Sequence, residues 1–464
     1  MYTTCIGNLI LYMLIYKEVN SVKQMRRKKM KRKIVSVLLC LTMLGGMLTG
    51  CGSKQAESTK SKDEKEVLNV WLPAKLDGDD EKVWDEVAEP FEKENNVDVK
   101  FQFISWKDYE AKYSSAISSN SGPDVGYMYV EMFPTYIDAG AVEDLSGYLT
   151  DEDYKEYTVL GDQYKIFGKN YGIAQAGPEA VLTMYYNQDI LDSIGESAPQ
   201  NWADVVRIAK EATKDTDGDG TVDQYGVAQG WGQTFYQDLN WNWYSFLYQA
   251  GGDIFDEDGK CILDDEKGIE TAKFLCDLKN TDNVLPEDTM SLTNDEAFEK
   301  YFITGKAAIG FTTAGTSTFQ ELKDNNINYG FSYELQGNNG NTGARASVDQ
   351  LVLMSAAKNK DLAFDFIKYV TGKEGGEKYH ELTKSNPNMK DEKWQGLEEV
   401  EVPYTAAVED GTIRPITAAR RATEVYDYLW KELQEMMNGS VSPEEAMKTV
   451  TDYANGLDYQ APAK

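Results

Sequence analysis

The stretch Val67-Leu68-Asn69-Val70-Trp71-Leu72 predicts the first β-strand of the fold, because it is rich in residue types that favour strands. An amphipathic helical pattern follows at residues 83–91, and a cleanly alternating strand follows at 97–103. A second helical pattern at 109–117 leads to another strand at 122–129. This order and spacing of strands and helices predict a parallel α/β sheet with right-handed crossovers.

The same alternation of strands and helices begins again further along the chain. A strand is predicted at 181–187, a helix capped by Asn201 follows it, and another strand is predicted at 225–228. An apolar strand at 351–355 then precedes a helix, and the chain ends in helices, the last of them with Ser442 as its N-cap. We therefore expect two α/β lobes, between which the chain passes more than once.

The residues ahead of the first strand are typical of an exported protein. A basic run at 26–33 precedes an apolar run at 34–48, and together they predict a signal peptide. The apolar run ends in Leu48-Thr49-Gly50-Cys51, which resembles the lipobox of bacterial lipoproteins. In that motif the cysteine thiol is acylated, by chains such as palmitate, and the cysteine becomes the first residue of the mature protein.

The predicted N-terminal organisation has three parts. Residues 1–50 are a leader, in which 1–24 are an extension upstream of the true start. Residues 51–66 begin with the lipidated Cys51 and continue as a polar, flexible tether. Because each buried methylene of an acyl chain contributes about 0.8 kcal/mol, more than one chain gives stable anchoring. We expect a protein held on the extracellular face of the bacterial cell membrane.

The charge of the chain excludes several classes of partner. The full chain has a formal net charge of −30, and removal of the leader would leave 38 Lys and Arg against 76 Asp and Glu. Nucleic acid is therefore not expected as a partner, and membrane contact is expected through the lipid anchor only. The single histidine, His380, excludes a His-based catalytic triad, and no cofactor for catalysis is expected.

Two cysteines remain in the predicted mature domain once the lipidated residue is set aside. Cys261 and Cys276 lie 15 residues apart, in a compartment where disulfides form. A disulfide and two free thiols are both compatible with this spacing.

Five motifs occur in an order that resembles the extracellular sugar-binding lipoproteins of ABC importers, the maltodextrin-binding-like group. They are Gly122-Pro-Asp-Val125, Tyr185-Tyr-Asn-Gln-Asp-Ile-Leu191, Gly251-Gly-Asp253, Gly305-Lys-Ala-Ala-Ile309 and the stretch 358–368. The resemblance runs from about Val67 to Leu457; each motif alone is weak, but the ordered set is specific. It implies a monomer that captures an oligosaccharide and delivers it to the permease subunits of an ABC transporter.

The resemblance also implies a two-lobed, periplasmic-binding-protein-like fold of type II. Each lobe would be a mainly parallel sheet flanked by helices, and hinge crossovers would let the lobes close on the ligand. The first lobe would comprise residues 67–180 and 350–412, and the second would comprise 181–349 and 413–464.

A sugar site needs aromatic planes for the C–H faces of the rings and fixed polar groups for the hydroxyls. The candidate ligand-binding residues are Trp71, Asp77, Tyr129, Glu131, Trp231, Trp241, Trp243, Asp349 and Tyr426. The first four follow or end predicted strands at the edge where open α/β sheets bind ligands. The three later tryptophans crowd a region rich in Gly, Gln and Asn, and the alternative for them is a place in the core.

Two of these candidates depend on the resemblance. Tyr426 matches a position that is aromatic in maltodextrin binders. Asp349 ends a run, residues 343–349, that replaces the usual glycines before the second hinge and would bring side chains to the cleft.

Residues 215–223, Asp-Thr-Asp-Gly-Asp-Gly-Thr-Val-Asp, follow the spacing of a calcium-binding loop. The candidate ligands are Asp215, Asp217, Asp219, the backbone carbonyl of Thr221 and Asp223. Gly226 stands where such a loop usually has a bidentate glutamate. A structural Ca²⁺ is therefore one interpretation, and an acidic turn without an ion is the other.

Two further functions stay open. Paired carboxylates can hydrolyse glycosides, but no spacing singles out a pair among so many acidic residues, and we expect no enzyme. A binder of a non-sugar solute such as a polyamine would suit the acidic charge, whereas the clustered tryptophans favour a sugar.

Overall fold

The computed structural model describes residues 65–76, 78–119, 121–157, 160–180, 182–347, 349–389, 391–394 and 398–457. These residues belong to one compact unit, Lys65–Lys464. The predicted leader, Cys51 and the tether up to residue 64 lie outside the described residues. The first strand begins at Glu66, so the last residue assigned to the tether is part of the sheet.

Within these ranges the strands form three sheets. The strands are β1 (Glu66–Pro73), β2 (Val97–Ile104), β3 (Val125–Met128), β4 (Gly172–Ala174), β5 (Glu179–Ala180), β6 (Thr183–Asn187), β7 (Tyr225–Ala228), β8 (Ala307–Thr312), β9 (Tyr329–Ser332), β10 (Ala344–Ser347), β11 (Gln350–Leu353) and β12 (Ile413–Pro415).

Helices cover the sheets and fill the connections between strands. The α-helices are α1 (Asp80–Asn95), α2 (Trp106–Ser118), α3 (Phe133–Asp138), α4 (Asp151–Tyr154), α5 (Gln188–Ile194), α6 (Trp202–Ala212), α7 (Leu239–Asn242), α8 (Tyr244–Gln249), α9 (Glu266–Asn280), α10 (Asn294–Ala297), α11 (Thr316–Asp324), α12 (Lys360–Thr371), α13 (Gly375–Thr383), α14 (Glu398–Glu409), α15 (Ala422–Met437) and α16 (Pro443–Gly456). Short 3₁₀ turns lie at Leu145–Gly147, Lys155–Tyr157, Gly161–Tyr164, Tyr236–Asp238 and Thr289–Ser291, and a π-helical turn lies at Phe298–Phe302.

The first sheet has the strand order β2-β1-β3-β11-β4, and the second has the order β7-β8-β6-β9. In the first sheet β1 is parallel to β2 and β3, as predicted, whereas β11 is antiparallel to both of its neighbours. In the second sheet β7 pairs in parallel with β8, and β6 is antiparallel to β8 and β9. Both sheets are therefore mainly parallel, as predicted, with one strand in each, β11 or β6, running opposite to the others.

The antiparallel strands have a common origin in the connections that precede them. A parallel neighbour requires a long crossover, usually a helix, whereas β6 and β11 follow the short strands β5 and β10 directly. Each therefore enters its sheet without a helix and runs opposite to the strands around it.

A third sheet, of order β12-β10-β5, joins the other two. Strand β10 is antiparallel to β5 and parallel to β12. The chain passes from the first sheet to the second through β5 and returns through β10. It leaves again through β12, after which α15 packs against α9 and α16. The structure shows that the chain passes between the sheets three times. The lobe boundaries given above remain a prediction.

Tight backbone contacts hold the first connector between the sheets in place. The Gly177 N–H donates to the carbonyl of Asn386 over 2.8 Å, and a Cβ at Gly177 would lie 2.2 Å from the carbonyl oxygen of Pro387. Only glycine therefore fits at this position. His380 is fully buried beside the connector and lies 2.8 Å, Nε2 to oxygen, from the carbonyl of Gln175.

Local signals in the sequence account for the helix ends. Asn201 caps α6 by accepting from the backbone N–H of Asp204 over 3.0 Å, and Ser442 caps α16 through Glu445.

Among the described residues, no helix is long and apolar enough to cross a membrane. Cys261 and Cys276 are both free thiols, the first of them buried, which resolves the two alternatives left by their spacing.

Candidate functional site

A group of polar and aromatic side chains from different elements is joined by direct contacts. Lys75 follows β1, Trp106 and Glu110 lie on α2 directly after β2, and Tyr129 and Glu131 follow β3. Arg345 lies on β10, Asp349 precedes β11, Tyr127 lies on β3, and Tyr236 follows β7 of the second sheet. We call these nine residues the junction site. The carboxyl ends of β1, β2 and β3 share one edge of the sheet, which is why their following residues meet.

A buried ion pair lies at the base of the junction site. Glu131 Oε1 is 3.0 Å from Arg345 Nη2, and the side chains are only 3% and 4% exposed. Burial raises the pKa of Glu131, and the neighbouring Arg345 guanidinium opposes this. Glu131 Oε2 and Arg345 Nε have no hydrogen-bond partner among the described residues. Buried polar atoms are normally satisfied, so these two point to a water or ligand group at this position.

A second charged pair lies beside the first. The Tyr127 hydroxyl donates to Asp349 Oδ2 over 2.6 Å, and the Lys75 ammonium contacts the same hydroxyl and lies 3.8 Å from that carboxylate. Ser347 donates to the other oxygen of Asp349 over 2.8 Å. Burial raises the pKa of Tyr127 well above its usual value, with the Asp349 charge adding to it. Asp349 thus lies at the junction site, and its predicted contact with ligand stays a prediction.

Trp106 offers the open aromatic surface of the site. It is 36% exposed, and its ring lies 6.1 Å from that of Tyr129 and 6.4 Å from that of Tyr127, centroid to centroid. The Lys75 ammonium lies 5.9 Å from its centroid. The sequence prediction missed this residue. The signal was present, because Trp106 directly follows an alternating strand at the edge where ligands bind.

Glu110 links helix α2, beside the first sheet, to the segment that follows β7 of the second sheet. Its Oε1 accepts a hydrogen bond from the Tyr236 hydroxyl over 2.7 Å, and it also accepts from the Tyr129 hydroxyl. Tyr129 was predicted from its place after β3, whereas neither Glu110 nor Tyr236 was. Tyr236 reaches the junction because the segment after β7 turns back toward α2, a long-range contact with no local signature.

Two of the predicted tryptophans belong to the core. Trp231 and Trp243 are 0% exposed, and the Trp231 ring stacks on Trp430 of α15 at 5.5 Å with a 5° interplanar angle. Gln434 of α15 donates to the Trp231 carbonyl over 2.8 Å. The assignment of Trp231 and Trp243 as ligand-stacking planes was wrong, because α15 covers the segment that carries them.

Tyr426 is a core residue as well, at 1% exposed. Its ring packs against Tyr244 at 5.7 Å, Tyr236 at 5.9 Å and Phe255 at 6.3 Å. The prediction that it contacts ligand was wrong, since its neighbours enclose it. Its contact with Tyr236 nevertheless supports one wall of the junction site.

The remaining predicted residues have other placements. Trp241 is half-buried, and its Nε1 donates to Thr313 Oγ1 over 3.4 Å at the end of β8. Trp71 is half-buried against α2, with its ring 5.4 Å from that of Tyr113 and 4.8 Å from the Lys112 ammonium. Asp77 lies outside the described residues. The role of Trp71 and Trp241 in ligand contact stays a prediction.

A buried acid supports the wall that carries Tyr236. Asp238 is 2% exposed and accepts from the Asn294 backbone N–H over 3.2 Å, at the start of α10. Burial raises its pKa to about 7, and the nearby Asp295 and Glu296 add to this.

The acidic loop at 215–223 brings three carboxylates together on the surface. One oxygen from each of Asp215, Asp217 and Asp223 lies within 4.8 Å of the others. Asp215 accepts from the Gly218 and Gly220 N–H groups over 2.6 and 2.7 Å, and these bonds lower its pKa. Both glycines have positive φ, 81° and 94°, as the tight turn requires. The donor set is all oxygen and fits Ca²⁺; Asp219 lies outside the three-carboxylate group, and the carbonyl of Thr221 stays a predicted ligand.

Known proteins share this architecture. A binding protein of Brucella abortus (strain 2308) is 23% identical over 81% of this chain and 89% of its own. The maltooligosaccharide ABC transporter solute-binding lipoprotein of Streptococcus pneumoniae (strain R6) is 24% identical over 76% of this chain and 80% of its own. A solved ABC substrate-binding protein of Listeria monocytogenes, in complex with cycloalternan, superposes with a TM-score of 0.69 at 22% identity, over 84% of this chain and 98% of that one.

The structural likeness confirms the predicted two-lobed, type II binding-protein fold. The model of the bacterial extracellular solute-binding proteins matches residues 77–377, well over half of the chain. The chain therefore belongs to the bacterial extracellular solute-binding protein family.

Proposed function

We propose that this protein captures a carbohydrate, specifically an oligosaccharide, outside the cell and delivers it to the permease subunits of an ABC transporter. The observation that carries the proposal is the convergence of aromatic rings and polar groups at the junction site. Trp106, Tyr129 and Tyr236 supply rings, and Glu110 supplies a hydrogen-bond acceptor. A sugar ring has an apolar C–H face and a rim of hydroxyls, so it needs both. The pneumococcal maltooligosaccharide protein and the Listeria cycloalternan complex support the same ligand class.

The hydrogen bond from Tyr236 to Glu110 supports a clamp-like mechanism. It joins the segment after β7 to helix α2, so residues of both sheet systems would contact a ligand held at the junction site. Hinge closure of two lobes around a ligand is the established motion of such folds. The protein acts as a monomer in this proposal, and light scattering that gave twice the chain mass would contradict that part.

The deciding experiment is calorimetric titration of the purified domain with a panel of neutral oligosaccharides, followed by chromatography of the same mixtures. We expect saturable binding of at least one sugar and recovery of every sugar intact. Hydrolysis products would favour a glycoside-acting enzyme instead. Binding of spermidine with no binding of any sugar would favour a polyamine carrier.

We also propose that Cys51 is acylated and anchors the protein to the membrane through the tether. The support is the lipobox-like Leu48-Thr49-Gly50-Cys51 and the signal peptide before it. Replacing the nucleophile, in Cys51→Ser, should move the protein from the membrane fraction to the medium without changing its melting temperature. A variant that stays in the membrane fraction would rule the anchor out.

We propose further that the acidic loop binds a structural Ca²⁺. The convergence of Asp215, Asp217 and Asp223 supports this, since a cation would relieve the repulsion between their carboxylates. Adding Ca²⁺ to chelated protein should raise the melting temperature, and Asp217→Ala with Asp219→Ala should abolish the increase. Asp258→Ala, in another exposed Gly-containing turn, is the control. Equal melting curves with and without Ca²⁺ in the wild-type protein would reject the site.

A further inference from the structure

Glu110 has no cationic partner among the residues that the structure describes. It lies on α2 and is half-buried, and its Oε1 accepts from the hydroxyls of Tyr129 and Tyr236. In the part of the chain that the structure describes, no Lys, Arg or His nitrogen lies within 4.0 Å of its carboxylate oxygens. Among the described residues, the side-chain donors to this carboxylate are two neutral phenols.

The other carboxylates of the junction site are each paired with a cation. Glu131 is paired with Arg345 at 3.0 Å, and Asp349 lies 3.8 Å from the Lys75 ammonium. The site thus holds three carboxylates and two cations, and the unbalanced charge is that of Glu110. The excess negative charge lies between the first and second sheets, because Tyr129 follows a strand of the first sheet and Tyr236 follows a strand of the second.

The negative charge of Glu110 contributes to the pKa shifts of three neighbouring residues. The pKa of Asp427, on α15, is raised by burial; the Lys431 ammonium opposes this, and repulsion from Glu110 adds to it. The pKa of Glu131 is raised by burial, and Glu110 adds to it in the same direction. Burial and the Glu110 charge together raise the pKa of Tyr236 well above its usual range.

A second observation points to a missing ligand group at this place. Glu131 Oε2 belongs to a side chain that is 3% exposed, and it has no hydrogen-bond partner among the described residues. A buried carboxylate oxygen of this kind needs a donor. The charge of Glu131 acts on Tyr129 and Tyr236, the two residues that donate to Glu110, so the unmet acceptor lies in the same region.

A carboxylate flanked by phenol rings is suited to a primary ammonium group. The ammonium forms a charge-assisted hydrogen bond with the carboxylate, and the neighbouring phenol oxygens can accept its other N–H groups. A neutral hydroxyl would gain only an ordinary hydrogen bond, and an anionic sugar would be repelled.

We infer that the junction site prefers a saccharide that carries a free ammonium group, with Glu110 as the counter-ion. The inference rests on the proposed carbohydrate function and specifies its ligand class. The ammonium would take the place of the Tyr236 hydroxyl on Glu110, and would thereby lie between the two sheet systems.

The test compares ligands that differ only by ammonium groups in place of hydroxyls, one in the monosaccharide pair and three in the trisaccharide pair. The probes are glucosamine against glucose and the β-1,4-linked glucosamine trimer against cellotriose, titrated by calorimetry at pH 6.5. We expect the amino sugar of a pair to bind at least about tenfold more tightly, as a hydrogen bond to a charged group would provide. The preference should disappear at a pH high enough to deprotonate the ammonium.

Variants separate the role of the charge from a structural role. Glu110→Gln keeps the shape and the hydrogen-bond acceptor but removes the charge, so it should lose the amino-sugar preference while the melting temperature changes little. Tyr236→Phe removes one phenol but leaves the carboxylate, and it should keep the preference. Glu89→Gln, an exposed carboxylate on α1 that pairs with Lys93, is the matched control.

The outcomes distinguish this inference from the proposed function. Binding of neutral sugars with equal or greater affinity than their amino counterparts would overturn the inference and leave the proposed function standing. A preference that survives in Glu110→Gln would overturn the role of Glu110. Binding of spermidine alone, or of none of the probes, would reject both.

Discussion

The two walls of the junction site use aromatic residues in opposite ways. On the wall formed by the first sheet, Trp106 and Tyr129 lie beside charged groups, and Trp106 keeps 36% of its surface exposed. On the wall formed by the second sheet, Trp231 and Trp243 are fully buried. Trp231, Trp241 and Trp243 lie close together in the sequence of the second wall, yet Trp106 of the first wall is more exposed than Trp231 and Trp243. The difference comes from α15, which covers the aromatic segment of the second wall.

The largest expected effect tests the buried wall. Trp231→Ala removes a ring that stacks on Trp430 in the core, so we expect a loss of about 3–5 kcal/mol in the free energy of unfolding, measured by urea denaturation. Sugar affinity of the folded fraction should be unchanged. Weakened binding with normal stability would show that the second wall also contacts ligand, and the contrast between the walls would fail.

The next effect concerns the acid that supports the second wall. The folded-state pKa of Asp238 is raised to about 7, so its stabilising contribution is complete below the unfolded value of about 3.9 and is lost as pH rises through 7. Asp238→Asn cannot ionise. Relative to the wild type, this variant should therefore gain stability between about pH 4 and pH 8, by roughly 2–4 kcal/mol in total.

Denaturation of both proteins at several pH values measures this difference. Because the comparison is between two proteins that share every other titrating group, the change with pH isolates Asp238. A difference in stability that stays constant from pH 4 to pH 8 would mean that Asp238 is ionised in the folded protein. Water would then reach this carboxylate more easily than its low exposed fraction indicates.

The smallest expected change in the free energy of unfolding is at Trp106, on the wall formed by the first sheet. Trp106→Ala removes a partly exposed ring, so stability should fall by less than about 1 kcal/mol. Sugar affinity should fall at least about tenfold, or about 1.4 kcal/mol, because a stacking plane and its buried area are lost. Calorimetric titration and a melting curve on the same sample measure both. Unchanged affinity would place the ligand away from Trp106.

Much of the fold could be predicted because its determinants are local. The parallel trio β1, β2 and β3 follows from alternation and spacing, and the cap of α6 follows from Asn201. The antiparallel entry of β6 and β11 could not be predicted in this way. It depends on the pairing of the short strands β5 and β10, in which Ala180 pairs with Ala346, 166 residues later in the chain.

From local sequence alone, the site was predictable where a residue's place depends on its own strand. Tyr129 and Glu131 follow β3, and the structure brings both to the junction site, whereas Asp349 was proposed through the family resemblance. Trp231 and Trp243 were misjudged because their burial depends on α15, about 190 residues later in the chain. Glu110 was missed for the same reason, since its partner Tyr236 is 126 residues away.

The three passages between the first and second sheets, through β5, β10 and β12, also bear on how the protein would respond to a protease. A single cut in one connector would leave two covalent links between the halves. Nicked molecules should migrate as fragments under denaturing conditions, yet remain one particle in native buffer. By the same logic, new termini could be opened within one connector and the old ones joined, while the relation between the halves is kept by the other two.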